Sequence, residues 1–365
     1  MEHLPLAPAQ ALARAPTCAR LEHSVDRKDL SRLTQALVAH FVASDPEPPA
    51  AIVLDLDHTA DPTYGQQEFA FYHPYYQNDC YGPLLSFAGL SGALVTACRR
   101  PGTRPTGAEN AMRLVRLLAF LRRHWPRTPI LVRGESHCAT PEVIDVLAHR
   151  PLIDVVFGLA GNLVLRRHAA PLLQEARRLH PPRTARAQAQ HARPPDRSRL
   201  SAEWAYGAAS WAQPWRVIRK AEVLAAGDHP RFVVTSLAAP TPPCVSEDID
   251  CARGHCANDI KAVQCDLHSD RTSATTFLAH AMRRLLSCAA SSLPHALRTQ
   301  TLQQTALAQA QPSTVILTLC TVATQGKQSK DRLLLRLPSA CPVKALRHRV
   351  TALLSRVPLP AVNTS

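Results

Sequence analysis

The chain has 365 residues, with 42 Lys and Arg against 28 Asp and Glu, which gives a formal net charge of +14 at pH 7. This excess of cations favours a polyanionic partner, either nucleic acid or an anionic membrane surface. Eleven cysteines without a C-x-x-C pair argue against a secreted disulfide framework, and no run of about 18 apolar residues is present to span a membrane. We expect a cytoplasmic protein with reduced thiols.

Hydrophobic periodicity predicts helices and strands in the first half of the chain. Pro-rich residues 45–49 end the first helix, and Pro141 stands at the first position of a helix capped by Thr140. The predicted elements are a helix at 27–43, a strand at 51–59, strands near 84–88 and 92–98, a helix at 107–125, a strand at 130–132, the helix after Thr140 and a strand at 154–160. The last three make a β-α-β unit.

Residues 180–199 are polar, basic and rich in Pro, which predicts a linker or an exposed loop. Beyond them we predict strands near 203–211, 216–224 and 231–237, helices at 246–267 and 272–297, and an amphipathic helix near 343–356. The helix at 272–297 has a predicted buried stripe of Phe277, Ala281, Leu285 and Ala289.

The segment 51–67 alternates like a buried strand and yet carries two carboxylates, Asp55 and Asp57. A buried carboxylate costs several kcal/mol unless it is paired or binds a metal. Asp57 therefore either caps the turn that ends the strand or binds a cation, and Asp55 is either a paired or solvated neighbour or itself catalytic. Glu135 follows the first strand of the β-α-β unit, at the end where open α/β sheets bind ligands.

Six ordered motifs continue this pattern over residues 20–300. They are LDLDHTADPTYGQQ, FYHPYY, RRPGTRPTGAEN, LVRGESHCATPEVIDVL, FGLAGN and CARGHCANDIKAVQCDLHSDRTSATTFLAHAMRRLLS. Together they resemble the DDE transposases of bacterial insertion sequences, the group called transposase DDE domain group 1. The resemblance implies an RNase H-like mixed sheet flanked by helices, with a β-rich insertion before the last catalytic helix. It also implies Mg²⁺ or Mn²⁺ as cofactor, insertion-sequence ends as DNA substrate, strand cleavage and transfer, a homodimer on DNA, and a nucleoid-associated protein without membrane or small-molecule partners.

The resemblance assigns three catalytic positions, of which two depart from the family pattern. Asp57 matches the first Asp, Glu135 stands where the second Asp is expected, and Ala257 stands at the third acid. Glu135 moves its carboxylate by about 1 Å, whereas the two metals of such a site lie about 3.5–4 Å apart. The side chain of Ala257 has no oxygen. We therefore expect Asp57 and Glu135 to hold any metal that is bound, in a catalytically impaired and truncated copy.

In these terms the chain divides into five parts. They are an N-terminal helical remnant (1–50), the first part of the catalytic core (51–179), a basic linker with the β-rich insertion (180–243), the last core helices (244–298) and a C-terminal tail with an amphipathic helix (299–365). Two further functions stay open: a non-catalytic DNA-binding remnant, and a metal-dependent nuclease or phosphatase unrelated to transposition.

Several other residues are candidates for binding. The candidate DNA contacts are Arg99, Arg100, Arg104, Arg133, Arg253 and Lys261, although Arg133 could equally pair with a carboxylate, and Arg99, Arg100 and Arg104 could simply keep an exposed turn soluble. Tyr72, Tyr75 and Tyr76 either stack on bases or, as we favour, pack into the core. Asp250 and Asp259 are poor substitutes for the third acid. The cluster Cys251, His255, Cys256, Cys265 and His268 has no zinc-finger spacing.

Overall fold

The structure is a computed structural model that describes residues 15–45, 47–189, 197–224, 227–322, 325–329, 332–336, 338 and 341–354. The chain divides into two compact units, which are described separately. The central unit is Ser31–Ile260, and the terminal unit is Met1–Leu30 together with Lys261–Ser365. The five-part division made from the sequence remains a prediction.

The strands of the central unit form one large sheet and one small sheet. In chain order they are β1 (Ile52–His58), β2 (Asp61–Pro62), β3 (Phe71–His73), β4 (Asn78–Tyr81), β5 (Leu84–Ala88), β6 (Ala93–Cys98), β7 (Ile130–Gly134), β8 (Ile153–Leu159), β9 (Arg197–Tyr206), β10 (Trp215–Leu224) and β11 (Gly227–Thr235). The large sheet has the order β6-β5-β1-β7-β8-β11-β10-β9, and the small sheet has the order β2-β4-β3.

The pairing directions identify the fold. Strand β5 pairs antiparallel with both β1 and β6, whereas β7 pairs parallel with both β1 and β8. A three-stranded meander joined to two parallel crossover strands is the RNase H-like arrangement, so the predicted fold class is confirmed. The inserted strands β9, β10 and β11 pair antiparallel with one another, and β11 pairs with β8. The β-rich insertion therefore extends the main sheet.

Helices cover both faces of this sheet. In chain order they are α2 (Arg27–Ala43), α3 (Gly107–His124), α4 (Pro141–Ala148), α5 (Leu163–Ala189), α6 (Asp250–Ala252) and α7 (Gly254–Lys261), with a π-helical segment at Cys244–Ile249. Helix α1 (Ala15–His23) belongs to the terminal unit. Neighbouring residues of β10 show the two faces, because successive side chains of a strand point to opposite sides. Val217 packs in the cluster that contains α2, α3 and α4 residues, and Ile218 packs with Val245 of the π-helical segment.

Two sequence predictions need correction here. Helix α5 continues through residues 180–189, which we predicted to be a linker, because Ala, Arg and Gln are strong helix formers. Residues 190–196 of that linker lie outside the described residues. The first inserted strand is β9 at Arg197–Tyr206, rather than 203–211, because Gly207 and Pro214 belong to the connection that leads to β10.

The terminal unit is mostly helical. Its later elements are α8 (Phe277–Ala296), α9 (Pro312–Leu319), β12 (Gln325–Ser329), β13 (Arg332–Arg336) and α10 (Lys344–Leu354), with π-helical segments at Ala262–Asp266 and Leu297–Thr301. Ala281 and Leu285 of the predicted stripe are buried, Phe277 is half-buried and Ala289 is exposed. Among the described helices, none is both long and apolar enough to cross a membrane.

Candidate active site

The two acidic positions lie side by side at the ends of neighbouring parallel strands. Leu56 of β1 lies opposite Gly134 of β7, so the residues that follow them, Asp57 and Glu135, stand at the same level of the sheet. Each side chain is largely buried, with 15% of Asp57 and 27% of Glu135 exposed. The sequence thus placed these two carboxylates correctly at the carboxyl ends of their strands.

Asp55 is held by a buried ion pair. Arg133 donates from Nε to Oδ1 at 2.6 Å and from Nη2 to Oδ2 at 2.7 Å, and its Nη1 donates to the carbonyl of Ile249 at 2.8 Å. A Cβ at Gly89 would lie within 2.5 Å of both groups, so only glycine leaves room for them. Asp55 is therefore a paired neighbour of the site. Arg133 is buried and bound to this carboxylate, which favours the carboxylate pairing of the two roles that the sequence left open for it.

Asp57 has a cationic partner. Nη1 of Arg253 lies 3.3 Å from its Oδ2. The pKa of Asp57 is raised to about 6, because burial and then the negative charge of Glu135 raise it more than Arg253 lowers it. Arg253 is three-quarters buried beside this carboxylate, and its side chain forms an ion pair within the site.

Glu135 has two histidine neighbours. Nδ1 of His137 lies 2.9 Å from Oε1 of Glu135, and Nδ1 of His58 lies 3.3 Å from the same oxygen. Burial by itself would raise the pKa of Glu135, but the hydrogen bond to His137 and the nearby ring of His58 lower it to about 2. Within the described residues, this trio is the group whose ligand atoms could hold a metal ion, all of them within 4.8 Å of one another.

The sequence did not predict this trio. His58 directly follows Asp57, and His137 stands two residues after Glu135, so the only signal was their closeness to the predicted ligands. The Cys251–His268 cluster forms no comparable group within the described part of the chain.

Ala257 lies on α7, and its side chain is exposed. Arg253 immediately precedes this helix, and Ala257 follows it by four residues, about one turn. The start of α7 lies close to β1. Burial raises the pKa of the Cys256 thiol, and the nearby charges of Asp57 and Asp55 on β1 raise it as well. Asp259 of the same helix approaches the turn after β5, where a Cβ on Gly92 would lie 3.3 Å from its Oδ1.

Asp250, the other acid weighed as a substitute, lies among cations. Burial raises its pKa, and four basic side chains oppose that rise. These are Arg253, Arg231, Lys220 and Arg133.

The turn that carries Arg99 and Arg100 is not the exposed turn that we expected. Arg99 lies 4.0 Å over the ring of Tyr81 and 3.6 Å from Asp61, and Arg100 forms two hydrogen bonds with Glu109 at 2.7 and 2.8 Å. Both guanidinium groups are buried, so the structure favours neither DNA contact nor solubility, the two roles that the sequence left open for them. A buried arginine needs an acidic partner, and the partner of each of these arginines lies elsewhere in the sequence. By contrast, Arg104 and Lys261 are exposed.

A group of aromatic side chains is exposed on and around the small sheet. Within the described residues, every aromatic side chain found exposed falls between positions 64 and 76: Tyr64, Phe69, Phe71, Tyr72, Tyr75 and Tyr76. We call this group the aromatic patch. Our preference for core packing of Tyr72, Tyr75 and Tyr76 was therefore wrong. The patch adjoins the site, because Glu135 and Asp57 contribute, after burial, to raising the pKa of Tyr76.

The sequence model of the family described as transposase DDE domain group 1 matches residues 1–359. The chain belongs to this family. The resemblance drawn from its motifs is thereby confirmed, whereas its bacterial origin and its truncation stay predictions. A comparison with curated protein sequences found no match.

This DDE transposase family member also has similar solved structures. The piggyBac transposase in a synaptic complex with hairpin DNA is 11% identical, with a TM-score of 0.43, over 76% of this chain and 54% of that chain. The catalytic domain of Mos1 mariner transposase is 10% identical, with a TM-score of 0.21, over 34% and 59%. The Mos1 mariner paired end complex with Mn is 11% identical, with a TM-score of 0.21, over 39% and 45%. The chain thus spans about half of the length of these proteins.

Proposed function

We propose that this chain is a transposase-type protein that binds DNA and in which metal-assisted strand cleavage is impaired. The observation that supports impairment most directly is the ion pair between Arg253 and Asp57, with Ala257 one turn beyond Arg253. The carboxylate proposed as the first metal ligand faces an arginine. The position proposed for the third ligand offers no oxygen.

The residues present do not fit a pair of Mg²⁺ ions. Mg²⁺ prefers octahedral oxygen ligands, and two-metal sites need carboxylates that reach both ions. Of the proposed set, Asp57 has one oxygen beside Arg253, Glu135 has one oxygen facing two imidazoles, and Ala257 contributes nothing.

DNA binding rests on different features of the chain. The net charge of +14 supplies a sequence-independent attraction for phosphates, and Arg104 and Lys261 remain exposed candidates for those contacts. The aromatic patch offers faces on which unpaired bases can stack, an interaction worth about 1–3 kcal/mol per base. Because Tyr76 lies beside the acidic positions, a strand that stacks on the patch would also reach the site.

A cleavage assay on element-end DNA tests the impairment. The unaltered chain is compared, with Mg²⁺ and with Mn²⁺, with Ala257→Glu and with the double variant Ala257→Glu, Glu135→Asp. We expect the double variant to cut DNA faster than the unaltered chain. Asn258→Glu is the matched control, because it adds the same carboxylate to the exposed side of α7 about 100° away around the helix. Cutting by the unaltered chain at the rate of the double variant would refute impairment.

A second function, a non-catalytic DNA-binding protein, is favoured by the same Arg253–Asp57 pair. It predicts that neither variant cuts DNA while all of them bind it with equal affinity. The cleavage assay distinguishes the two functions, and gel-shift titrations of the same proteins show that each variant still binds DNA. Cutting without preference for element ends would instead favour a nuclease unrelated to transposition.

A further inference from the structure

We propose that His58, His137 and Glu135 bind one divalent metal ion with the ligand preference of Zn²⁺. The family resemblance implies two Mg²⁺ ions instead. The three residues come from two neighbouring strand ends: His58 is the last residue of β1, and Glu135 and His137 follow β7. We call them the histidine trio. Its donor set of two imidazoles and one carboxylate suits Zn²⁺, Fe²⁺ or Ni²⁺, whereas Mg²⁺ takes oxygen ligands.

Two distances within the trio are close to those between ligands of one ion, and all of its ligand atoms lie within 4.8 Å of one another. Atoms bound at about 2.0–2.1 Å to a tetrahedral Zn²⁺ are about 3.3 Å apart. Oε1 of Glu135 lies 2.9 Å from Nδ1 of His137 and 3.3 Å from Nδ1 of His58. Both imidazoles thus face one carboxylate oxygen at the separation that a shared ion requires.

Asn110 fixes the orientation of His58. Its Nδ2 donates to the backbone carbonyl of His137 at 3.1 Å, so its Oδ1 is the atom that faces Nε2 of His58 at 3.3 Å. Because an amide oxygen only accepts, Nε2 of His58 must carry the hydrogen. In the neutral ring, Nδ1 then presents a lone pair to Glu135. This arrangement, an outer hydrogen bond that aims the ring of a ligand, is usual for metal-binding histidines.

The lone pair of His58 has no other partner. The side chain of His58 is 8% exposed, and within the described residues no hydrogen bond reaches its Nδ1. A buried lone pair that faces a carboxylate oxygen is unfavourable unless a proton or a metal ion lies between the two atoms, and in the proposed site a metal ion takes this position. The His137 side chain is 32% exposed, so an ion can reach the trio from solvent.

Calorimetric titration of the reduced, chelator-treated full-length chain with Zn²⁺ and with Mg²⁺ tests this proposal without any DNA. We expect one tight Zn²⁺ site and binding of Mg²⁺ at least about 100-fold weaker. Asn110→Ala should weaken Zn²⁺ binding about 10-fold, since loss of an outer partner costs about 10–100-fold. His137→Ala and Glu135→Gln should each weaken it by more than Asn110→Ala. The absorption spectrum of bound Co²⁺ should show nitrogen and oxygen ligands without thiolate.

Two control variants address histidine and cysteine side chains outside the trio. His124→Ala removes an exposed histidine of α3, and Cys251→Ser removes an exposed thiol, and neither should change the affinity for Zn²⁺. Zn²⁺ binding that survives both His137→Ala and Glu135→Gln, that is lost in Cys251→Ser, or that is no tighter than Mg²⁺ binding would overturn the proposal. Circular dichroism confirms that each variant is folded. Because no DNA is present, failure here leaves the proposed DNA-binding function untouched.

Discussion

Removing one partner of the Asp55–Arg133 pair should strongly destabilise the central unit. The Asp55 side chain is 1% exposed and that of Arg133 is 6% exposed, and two hydrogen bonds join them. Asp55→Asn leaves the guanidinium buried without a counter-charge, which costs about 3–5 kcal/mol in comparable pairs. The double variant Asp55→Leu, Arg133→Met removes both charges, and it should cost less than Asp55→Asn because no charge is left unpaired.

Urea unfolding followed by tryptophan fluorescence measures this difference. All four tryptophans, Trp125, Trp204, Trp211 and Trp215, belong to the central unit, so the signal reports on that unit. Arg104→Met is the matched control, because an exposed arginine should change the free energy of unfolding by no more than about 0.5 kcal/mol. If Asp55→Asn differs from the unaltered chain by no more than the control, the reasoning from a buried ion pair is refuted.

Three further predictions concern features outside that pair. Burial would raise the pKa of Glu109, but hydrogen bonds from Arg100 and Arg113 outweigh this effect and lower it to about 2. The ionised Glu109 therefore stabilises the fold fully above pH 4.5, its ordinary pKa, and this stabilisation is lost as the pH falls toward 2. The urea midpoint of Glu109→Gln should thus lie well below that of the unaltered chain at pH 7 and approach it at pH 3; an equal gap at both values would contradict the assignment. Gly102→Ala should lower the melting temperature, because the added Cβ clashes with the backbone of Cys80, and an unchanged melting curve would show that the turn is loosely packed. Tyr72→Ala should weaken binding of single-stranded DNA without changing its salt dependence, whereas Lys261→Ala should reduce the salt slope by about 1; the reverse pattern in gel shifts would exclude stacking at the patch.

The core of the fold was readable from the sequence because its strands follow simple patterns. Apolar residues at strand spacing, punctuated by Gly and Pro, marked β5, β6 and β7 within a residue or two, and Pro141 marked the start of α4. The last part of α5 was not readable in the same way, because prolines and charged residues suggest a loop while tertiary context allows a helix. Local composition alone does not show which of these two influences is stronger.

The site was predictable only where its residues share a motif. Asp57 and Glu135 stand at strand ends, and a strand end is a local feature. The contact between His58 and Asn110 joins residues 52 positions apart, and nothing near either of them signals the other. The same holds for Arg100 and Arg133, since a basic residue is buried only if the fold supplies a carboxylate opposite it.

The buried arginine pairs also affect the distribution of charge on the protein surface. Arg133 with Asp55, and Arg100 with Glu109, each contribute one positive and one negative charge to the interior, so they leave the total of +14 unchanged. The whole surplus is therefore carried by the remaining residues, where fewer acids are left to offset it. Such a surface keeps its counter-ions in a layer about 8 Å thick at physiological salt and exchanges them for any polyanion that comes near. We expect cellular RNA and DNA fragments to accompany the protein through purification until salt releases them.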